Sequence, residues 1–265
     1  MTDEDKKEKK RSLFTQIALG VIVIVTVLSF FDATKVTKKE ELTVSAAMSL
    51  KGAFVEIGSV FEKSHPKTKV IYNFGSSGLM AQQIRQGSPA DVFASADKTN
   101  MDALIAKGLI DEKTVKDFAK NQLVVISANT GKFHSFDDLA KADRVAMGDP
   151  MTVPAGKYAE EALQNAQILA PLRQQKKLIY GENVRQVLTY VETKNADAGL
   201  VYATDTAISH KVSICFAVPD TYTQPIVYPI GIPSSCSKKP LAQQFIDLVT
   251  GPEGQKILQQ KGFLK

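Results

Sequence analysis

Residues that build metal centres and nucleophilic active sites are scarce in this sequence. It contains two cysteines and three histidines in 265 residues. The cysteines lie far apart in sequence and near no histidine, so a metal-ligand cluster is not expected. The histidines, His65, His134 and His210, lie among polar residues and are expected at the surface. No G-x-S-x-G turn is present to hold a serine nucleophile. We therefore expect neither an enzyme nor a resident cofactor.

A motif for DNA or RNA binding is also missing. The formal net charge is +5, but the basic residues are spread along the chain, so no nucleic-acid partner is expected. The composition, 44% hydrophobic and 23% charged residues, is that of a folded globular protein. The length is sufficient for one large domain or two lobes.

The N-terminal part of the sequence contains an apolar run from Leu13 to Phe31. Its length is close to the ~20 residues that cross a bilayer as a helix, which predicts a membrane segment. Basic residues precede this run, so the rest of the chain is expected in the periplasm or at the extracytoplasmic face of the inner membrane. No small-residue cleavage site follows Phe31, which favours an uncleaved anchor over a signal peptide. Residues 1–40 are thus predicted to comprise a cytoplasmic tail, a membrane segment or signal, and a linker.

Two serine-bearing turns follow the first two predicted strands. The stretch SAAMSL places Ser49 between a strand and a helix, and FGSSG places Ser76 and Ser77 in the same position one unit later. Free N–H groups at a helix start, close-approaching glycines and a hydroxyl together form an anion cradle. An ordinary helix N-cap is the alternative. In a doubly wound sheet both turns would face one crevice, so Ser49 and Ser77 are candidates for one binding site.

Strand and helix patterns alternate through the rest of the chain, and the alternation restarts after a fourth strand. This arrangement predicts an α/β protein with two lobes: residues 41–122 plus 226–265, and residues 123–225. Predicted strands after the first two lie in the stretches PADVFASAD, NQLVVISAN, RVAMGDP, AGLVY, VSICFAVP and PIVYPIGIP. Predicted helices lie between them, and two more close the chain in SKKPLAQQFIDLV and GPEGQKILQQKGF.

Six motifs in order resemble the periplasmic molybdate-binding proteins of ABC importers, from about Leu42 to Lys265. They are SAAMSL, FGSSGLMAQQI, GSPADVFASAD, GDPMTVPAGKYA, ENVR and LVYATD. The resemblance implies two α/β lobes joined by crossover strands with the ligand cleft between them, as in type II periplasmic binding proteins. It also implies a monomer that captures molybdate or tungstate and delivers it to an ABC permease.

The same resemblance implies which residues hold the molybdenum-bearing oxyanion. Carried over by motif, they are Ser49, Ser77, Ala155, Val184 and Tyr202. Ala155 and Val184 stand at the starts of predicted helices, where N–H groups are free to donate. No Asp or Glu occupies these positions, which favours an undistorted tetrahedral oxyanion. The sequence departs from the family pattern at Gly78, where a third serine is common.

Other interpretations stay open on the sequence alone. The ligand could be sulfate, phosphate or an organic anion, or the chain could be an anchored sensor without a transporter. Arg85 and Arg185 are expected in salt bridges beyond the first turns of their helices. The three acidic residues near the motifs, Asp97, Asp149 and Asp205, are expected to be turn or cap residues. Cys215 and Cys236, on or beside neighbouring predicted strands, are predicted to form a disulfide.

Overall fold

The computed structural model describes residues 39–129 and 131–265, and the single residue Phe14 before them. Residues 40–265 form one compact unit. Within the described ranges, no helix has both the length and the apolar character needed to span a bilayer. The predicted membrane segment from Leu13 to Phe31 lies outside the described residues, apart from Phe14.

The described chain contains ten strands and ten α-helices. The strands are β1 (Glu40–Ala47), β2 (Thr68–Gly75), β3 (Val92–Ala94), β4 (Ile110–Asn121), β5 (Leu123–Ser127), β6 (Val145–Gly148), β7 (Leu178–Gly181), β8 (Ala198–Tyr202), β9 (Ser213–Ala217) and β10 (Ile226–Pro233). The helices are α1 (Lys51–Ser64), α2 (Ser77–Arg85), α3 (Lys98–Ile105), α4 (Phe136–Leu139), α5 (Pro154–Asn165), α6 (Leu169–Gln174), α7 (Val184–Glu192), α8 (Ala203–Thr206), α9 (Lys239–Thr250) and α10 (Pro252–Gln260). A 3₁₀ turn, Met48–Leu50, connects β1 to α1.

The strands form two mixed sheets of five strands each. The first has the order β2-β1-β3-β10-β4, and the second has the order β7-β6-β8-β5-β9. In the first sheet β1 runs parallel to β2 and β3, while β10 runs antiparallel to β3 and β4. The second sheet repeats this plan, with β6 parallel to β7 and β8, and β5 antiparallel to β8 and β9. The predicted two-lobed α/β architecture is therefore present.

The chain passes between the sheets twice. It leaves the first sheet at Asn121, enters the second at Leu123, and returns between β9 and β10. We call residues 40–121 and 226–265 the first lobe, and residues 123–217 the second lobe. Because parallel strands in each sheet end at one edge, the turns that follow them can meet between the lobes.

The core of the first lobe fixes the helix that follows Ser49. The apolar face of α1 is buried as its spacing predicts, with Phe54 and Phe61 fully enclosed. Both rings contact Phe245 of α9 edge-on, with centroids 6.0 and 5.4 Å apart. Burying one such ring stabilises the fold by about 1.5–3 kcal/mol. The start of α1, and with it Ser49, is thus held firmly at the sheet edge.

The predicted disulfide was wrong. Cys215 lies on β9 in the second sheet, whereas Cys236 follows β10 in the first sheet, and both thiols are free. The two strands are neighbours in sequence, but the chain crosses between the lobes before β10 begins. The Cys236 thiol lies 3.4 Å from Asp91 Oδ1, to which it donates, and burial raises the pKa of this thiol.

Candidate functional site

A small cavity lies between the two lobes. Its lining includes all of the predicted site residues, namely Ser49, Ser77, Ala155, Val184 and Tyr202. The first lobe contributes the two serines, and the second lobe contributes the other three. Among the described residues, those that line this cavity carry no carboxylate, ammonium or guanidinium group. The cavity therefore offers neutral polar groups only.

Ser77 is the first residue of α2 and is fully buried. Its oxygen accepts a hydrogen bond from the N–H of Ala96 at 2.9 Å, which leaves the hydroxyl proton available as a donor. The preceding residue, Ser76, caps the helix by accepting from the Leu79 N–H at 3.4 Å. The two serines of the turn thus have different roles. Ser76 accepts a hydrogen bond from the first turn of the helix, and Ser77 keeps a hydroxyl proton that it can donate.

Ser49 lies in the 3₁₀ turn that leads into α1. Its hydroxyl oxygen is 3.2 Å from the hydroxyl oxygen of Tyr228, a fully buried residue of β10. The amide nitrogen of Asn121, at the end of β4, donates to the same tyrosine oxygen at 3.1 Å. Sequence reasoning missed Tyr228 and Asn121, since a tyrosine within the apolar run PIVYPIGIP is typical of a core strand.

Ala155 and Val184 offer backbone N–H groups at two helix starts. Val184 is the first residue of α7, behind the N-cap residue Asn183. The Asn183 side chain accepts from the N–H groups of Arg185 and Gln186, so the Val184 N–H does not take part in this cap. Ala155 follows Pro154 in the first turn of α5. First-turn N–H groups have no acceptor within their own helix, so both can donate into the cavity.

Tyr202 ends β8 and is buried, yet its hydroxyl has no hydrogen-bond partner among the described residues. Burial, with a smaller contribution from nearby Tyr228, raises the pKa of this hydroxyl well above its usual value. The group is therefore a neutral donor at physiological pH. An unsatisfied buried hydroxyl costs about 1–3 kcal/mol, so this one is a strong candidate for a ligand contact.

The prediction for Arg185 was right about its role and wrong about its position. Arg185 is the second residue of α7, within its first turn, and its Nε lies 3.5 Å from Oδ1 of Asp205. Asp205 is fully buried in α8 and is a cap residue, as predicted. Its second carboxylate oxygen accepts at 3.3 Å from the N–H of Tyr202, the N-cap residue of that helix. Burial raises the pKa of Asp205 to about 6, although Arg185 and the Tyr202 N–H oppose this effect.

The remaining candidate residues lie away from the cavity lining. Asp97 caps α3 by accepting from the Asn100 N–H, and Asp149 accepts from Met151 in a turn, as predicted. Arg85 is exposed in the last turn of α2. His134 and His210 are exposed, as predicted. His65 was also expected at the surface, but it is half-buried because its ring stacks on Phe61.

The two lobes touch at the rim of the cavity. The N–H of Gly78, in the first turn of α2, donates to the carbonyl of Thr152 in the second lobe at 3.0 Å. A side chain at this glycine would place its Cβ 2.5 Å from that carbonyl oxygen. Lys157 of α5 also donates to Thr99 of α3 across the lobes, at 3.0 Å. The Gly78 N–H thus forms a hydrogen bond between the lobes.

The sequence was then compared with known families and proteins. Residues 42–264 match the profile of a family described as bacterial extracellular solute-binding protein. The chain is 37% identical to YvgL of Bacillus subtilis, a putative ABC transporter substrate-binding lipoprotein, over 96% of this chain and 98% of that protein. It is 31% identical to the molybdate-binding protein ModA of Haemophilus influenzae, over 94% of this chain and 97% of that protein.

Solved structures agree with these sequence matches. The periplasmic molybdate-binding protein of Azotobacter vinelandii superposes with a TM-score of 0.77 at 26% identity, covering 84% of this chain and 99% of that one. The substrate-binding domain of a putative molybdenum ABC transporter from Clostridium difficile superposes with a TM-score of 0.67 at 36% identity. That match covers 86% of this chain and 99% of the other.

Proposed function

Because the chain belongs to the bacterial extracellular solute-binding protein family, we propose that it captures molybdate or tungstate and delivers it to an ABC importer. The matches to molybdate-binding proteins confirm the resemblance that the sequence motifs indicated. The family is extracellular, so the protein lies outside the cytoplasm. The finer location, in the periplasm or at the outer face of the inner membrane, is part of the proposal. The proposal also includes a monomeric state, a permease partner and the absence of a catalytic step.

One observation carries the choice of ligand: neutral donors from both lobes line a single cavity that contains the unpartnered hydroxyl of Tyr202. We propose that the hydroxyls of Ser49, Ser77 and Tyr202 and the N–H groups of Ala155 and Val184 bind the oxyanion. Such a set suits a fully deprotonated dianion, since each contact is a hydrogen bond to a charged acceptor worth about 1.5–3 kcal/mol.

The donor set also predicts which anions are rejected. Phosphate near neutral pH retains a proton that needs an acceptor, and a buried polar group without a partner costs about 1–3 kcal/mol. Sulfate has the right charge but shorter bonds to oxygen, so it cannot reach all five donors at once. Losing two of these bonds would weaken sulfate by two or more orders of magnitude.

We further propose that residues 41–122 plus 226–265 and residues 123–225 close on the anion about the crossover segments. The donors come from both sides of the cavity, so they converge only when the lobes are together. The contact between Gly78 and Thr152 is of the kind that closure would form.

Calorimetric titration of residues 40–265 with molybdate, tungstate, sulfate and phosphate tests the proposed function. We expect molybdate and tungstate to bind tightly and alike, sulfate at least a hundredfold more weakly, and phosphate hardly at all. Sulfate or phosphate affinity within tenfold of that for molybdate would assign the protein to another oxyanion. Binding of none of the four would reject the proposed function.

A further inference from the structure

A chain of buried hydrogen bonds connects the crossover between the lobes to Ser49. The side-chain oxygen of Asn121 accepts from the N–H of Gln122 at 2.9 Å. The amide nitrogen of Asn121 donates to Thr204 Oγ1 at 2.9 Å and to the Tyr228 hydroxyl at 3.1 Å. That hydroxyl lies 3.2 Å from the oxygen of Ser49. Asn121, Thr204, Tyr228 and Ser49 are all buried.

The backbone N–H of Gln122 fixes the orientation of the Asn121 amide, and the amide in turn favours one direction for the bond between Tyr228 and Ser49. The Gln122 N–H can only donate, so the oxygen of Asn121 must face it and the amide nitrogen must face Tyr228. The amide nitrogen has no lone pair to offer, so the Tyr228 oxygen accepts from it and the single tyrosine proton is directed to Ser49. Within the described residues, Tyr228 is the hydrogen-bond partner of the Ser49 hydroxyl. The Ser49 proton is then available for donation into the cavity, which this residue lines.

The opposite arrangement is unfavourable. If Ser49 donated to Tyr228, the tyrosine proton would be buried without an acceptor, since Asn121 presents only N–H groups to it. Ser49 would then present lone pairs to an oxyanion. The ring of Tyr228 cannot turn away, because it is enclosed by edge-on contacts with Phe118, Tyr202 and Phe263 at 5.4 to 6.3 Å.

We propose that Tyr228 is a positioning residue that orients the Ser49 hydroxyl as a hydrogen-bond donor to the bound oxyanion, with Asn121 fixing the orientation of Tyr228's own proton. The inference rests on the proposed function, since it assumes an anion beside Ser49. None of the residues proposed to bind the anion lies on β10. The inference therefore adds a polar group of this strand to the determinants of anion binding. A serine left unoriented could serve as either donor or acceptor, which would blur the preference for a fully deprotonated anion.

A double-mutant cycle tests the proposal. Tyr228→Phe keeps the ring contacts and removes only the hydroxyl, and Ser49→Ala removes the donor on which it acts. We expect Tyr228→Phe to weaken molybdate binding about tenfold, and Ser49→Ala to weaken it tenfold or more. The double variant should bind within about twofold of Ser49→Ala alone, because Tyr228 has nothing left to orient.

Tyr72→Phe is the matched control. Tyr72 is a half-buried tyrosine of the first lobe whose hydroxyl donates to the carbonyl of Phe54 and does not line the cavity. Its removal should leave molybdate affinity unchanged even if it lowers stability. Thermal unfolding of all variants shows that each is folded. If Ser49→Ala does not fold, the inference is tested by comparing the molybdate affinity of Tyr228→Phe with that of Tyr72→Phe.

The outcomes separate this inference from the proposed function. Unchanged molybdate affinity in Tyr228→Phe, or losses that multiply in the double variant, would overturn the inference while wild-type binding upheld the function. If wild type binds sulfate or phosphate instead of molybdate, the function is wrong, and the same cycle with that anion still tests Tyr228. If none of these anions binds, both fail.

Discussion

The hydroxyl of Ser77 has two roles, because its oxygen accepts from Ala96 while its proton is free to face the cavity. Ser77→Ala removes both. We expect molybdate binding to weaken by about 1.5–3 kcal/mol, through loss of a hydrogen bond to a charged acceptor. The free energy of unfolding should also fall by about 1–3 kcal/mol, since the Ala96 N–H loses its buried acceptor. Calorimetry and urea unfolding measure the two effects separately.

Ser59→Ala is the control for this substitution. Ser59 is exposed on α1 and donates to the Val55 carbonyl within its own helix. Its removal should change stability by less than about 0.5 kcal/mol and leave binding unaffected. Molybdate affinity that stays at the wild-type value in Ser77→Ala would remove this serine from the proposed site.

At the scale of single residues, candidates with a hydroxyl are easier to find in the sequence than candidates that offer only a backbone N–H. Ser49 and Ser77 stand out because each follows a strand and opens a helix, and the structure brings both to the cavity. Ala155 and Val184 have no polar side chain, so only their motifs indicated them. Tyr228 could not be found from the sequence, because its place in the hydrogen-bond chain depends on Asn121, which is distant in sequence and adjacent in the fold.

At the scale of elements, the ion pair between Arg185 and Asp205 connects α7 to α8 beside two proposed ligands, Val184 and Tyr202. Asp205 has a pKa near 6 in the folded protein, against an ordinary value of 3.8. The folded state therefore holds this proton more tightly than the unfolded state. Its contribution to stability is complete below about pH 4 and is lost as the pH rises through 6.

Asp205→Asn should flatten this pH dependence. We expect the wild type to lose, relative to the variant, on the order of 2–3 kcal/mol of unfolding free energy between pH 4 and pH 7. Urea unfolding of both proteins at several pH values gives the difference directly. A difference that does not change with pH would show that Asp205 titrates normally in the folded protein.

Asp197→Asn provides a control of opposite sign. Burial raises the pKa of Asp197, but hydrogen bonds from the N–H groups of Arg144 and Asp143 and the charge of Lys132 outweigh burial and lower it. The wild type should therefore gain stability relative to Asp197→Asn as the pH rises through the acidic range.

The elements that the sequence failed to predict are either irregular in pairing or short. Strand β4 carries the charged stretch IDEKTVKDFAKN at the edge of the first sheet, and its register with β10 shifts twice. Shifts of this kind break the alternation by which a strand is recognised. Helix α6 and strand β7 are short, and the burial of β7 does not alternate. The long amphipathic helices, in contrast, were predicted from spacing alone.

At the scale of the whole molecule, the sequence predicts two lobes and the return of the chain at residue 226, but not the strand order within each sheet. The place of β10 between β3 and β4 depends on long-range pairing. The predicted disulfide was inconsistent with the predicted lobes, since Cys215 and Cys236 fall on different sides of that division. The contact between Gly78 and Thr152 was equally hidden, because it forms only between lobes that are already folded.

Gly78 lies at a contact between the two lobes, where the structure leaves no room for a side chain. A Cβ there would lie 2.5 Å from the Thr152 oxygen and 2.9 Å from its Cα, so any side chain would push the lobes apart. Overpacking of this kind costs about 1–3 kcal/mol. That cost arises only when the lobes are together, so it should reduce ligand affinity without destabilising either lobe.

We expect Gly78→Ala to weaken molybdate binding about tenfold and to reduce the ligand-induced decrease in radius of gyration measured by X-ray scattering. Gly52→Ala is the matched control, because Gly52 lies on α1 in the same lobe and a Cβ there meets no atom within 4 Å. It should close and bind as the wild type does, with helix stability unchanged or slightly raised. If Gly78→Ala binds and contracts like Gly52→Ala, then the lobes have room for a side chain at this contact, and Gly78 does not limit closure.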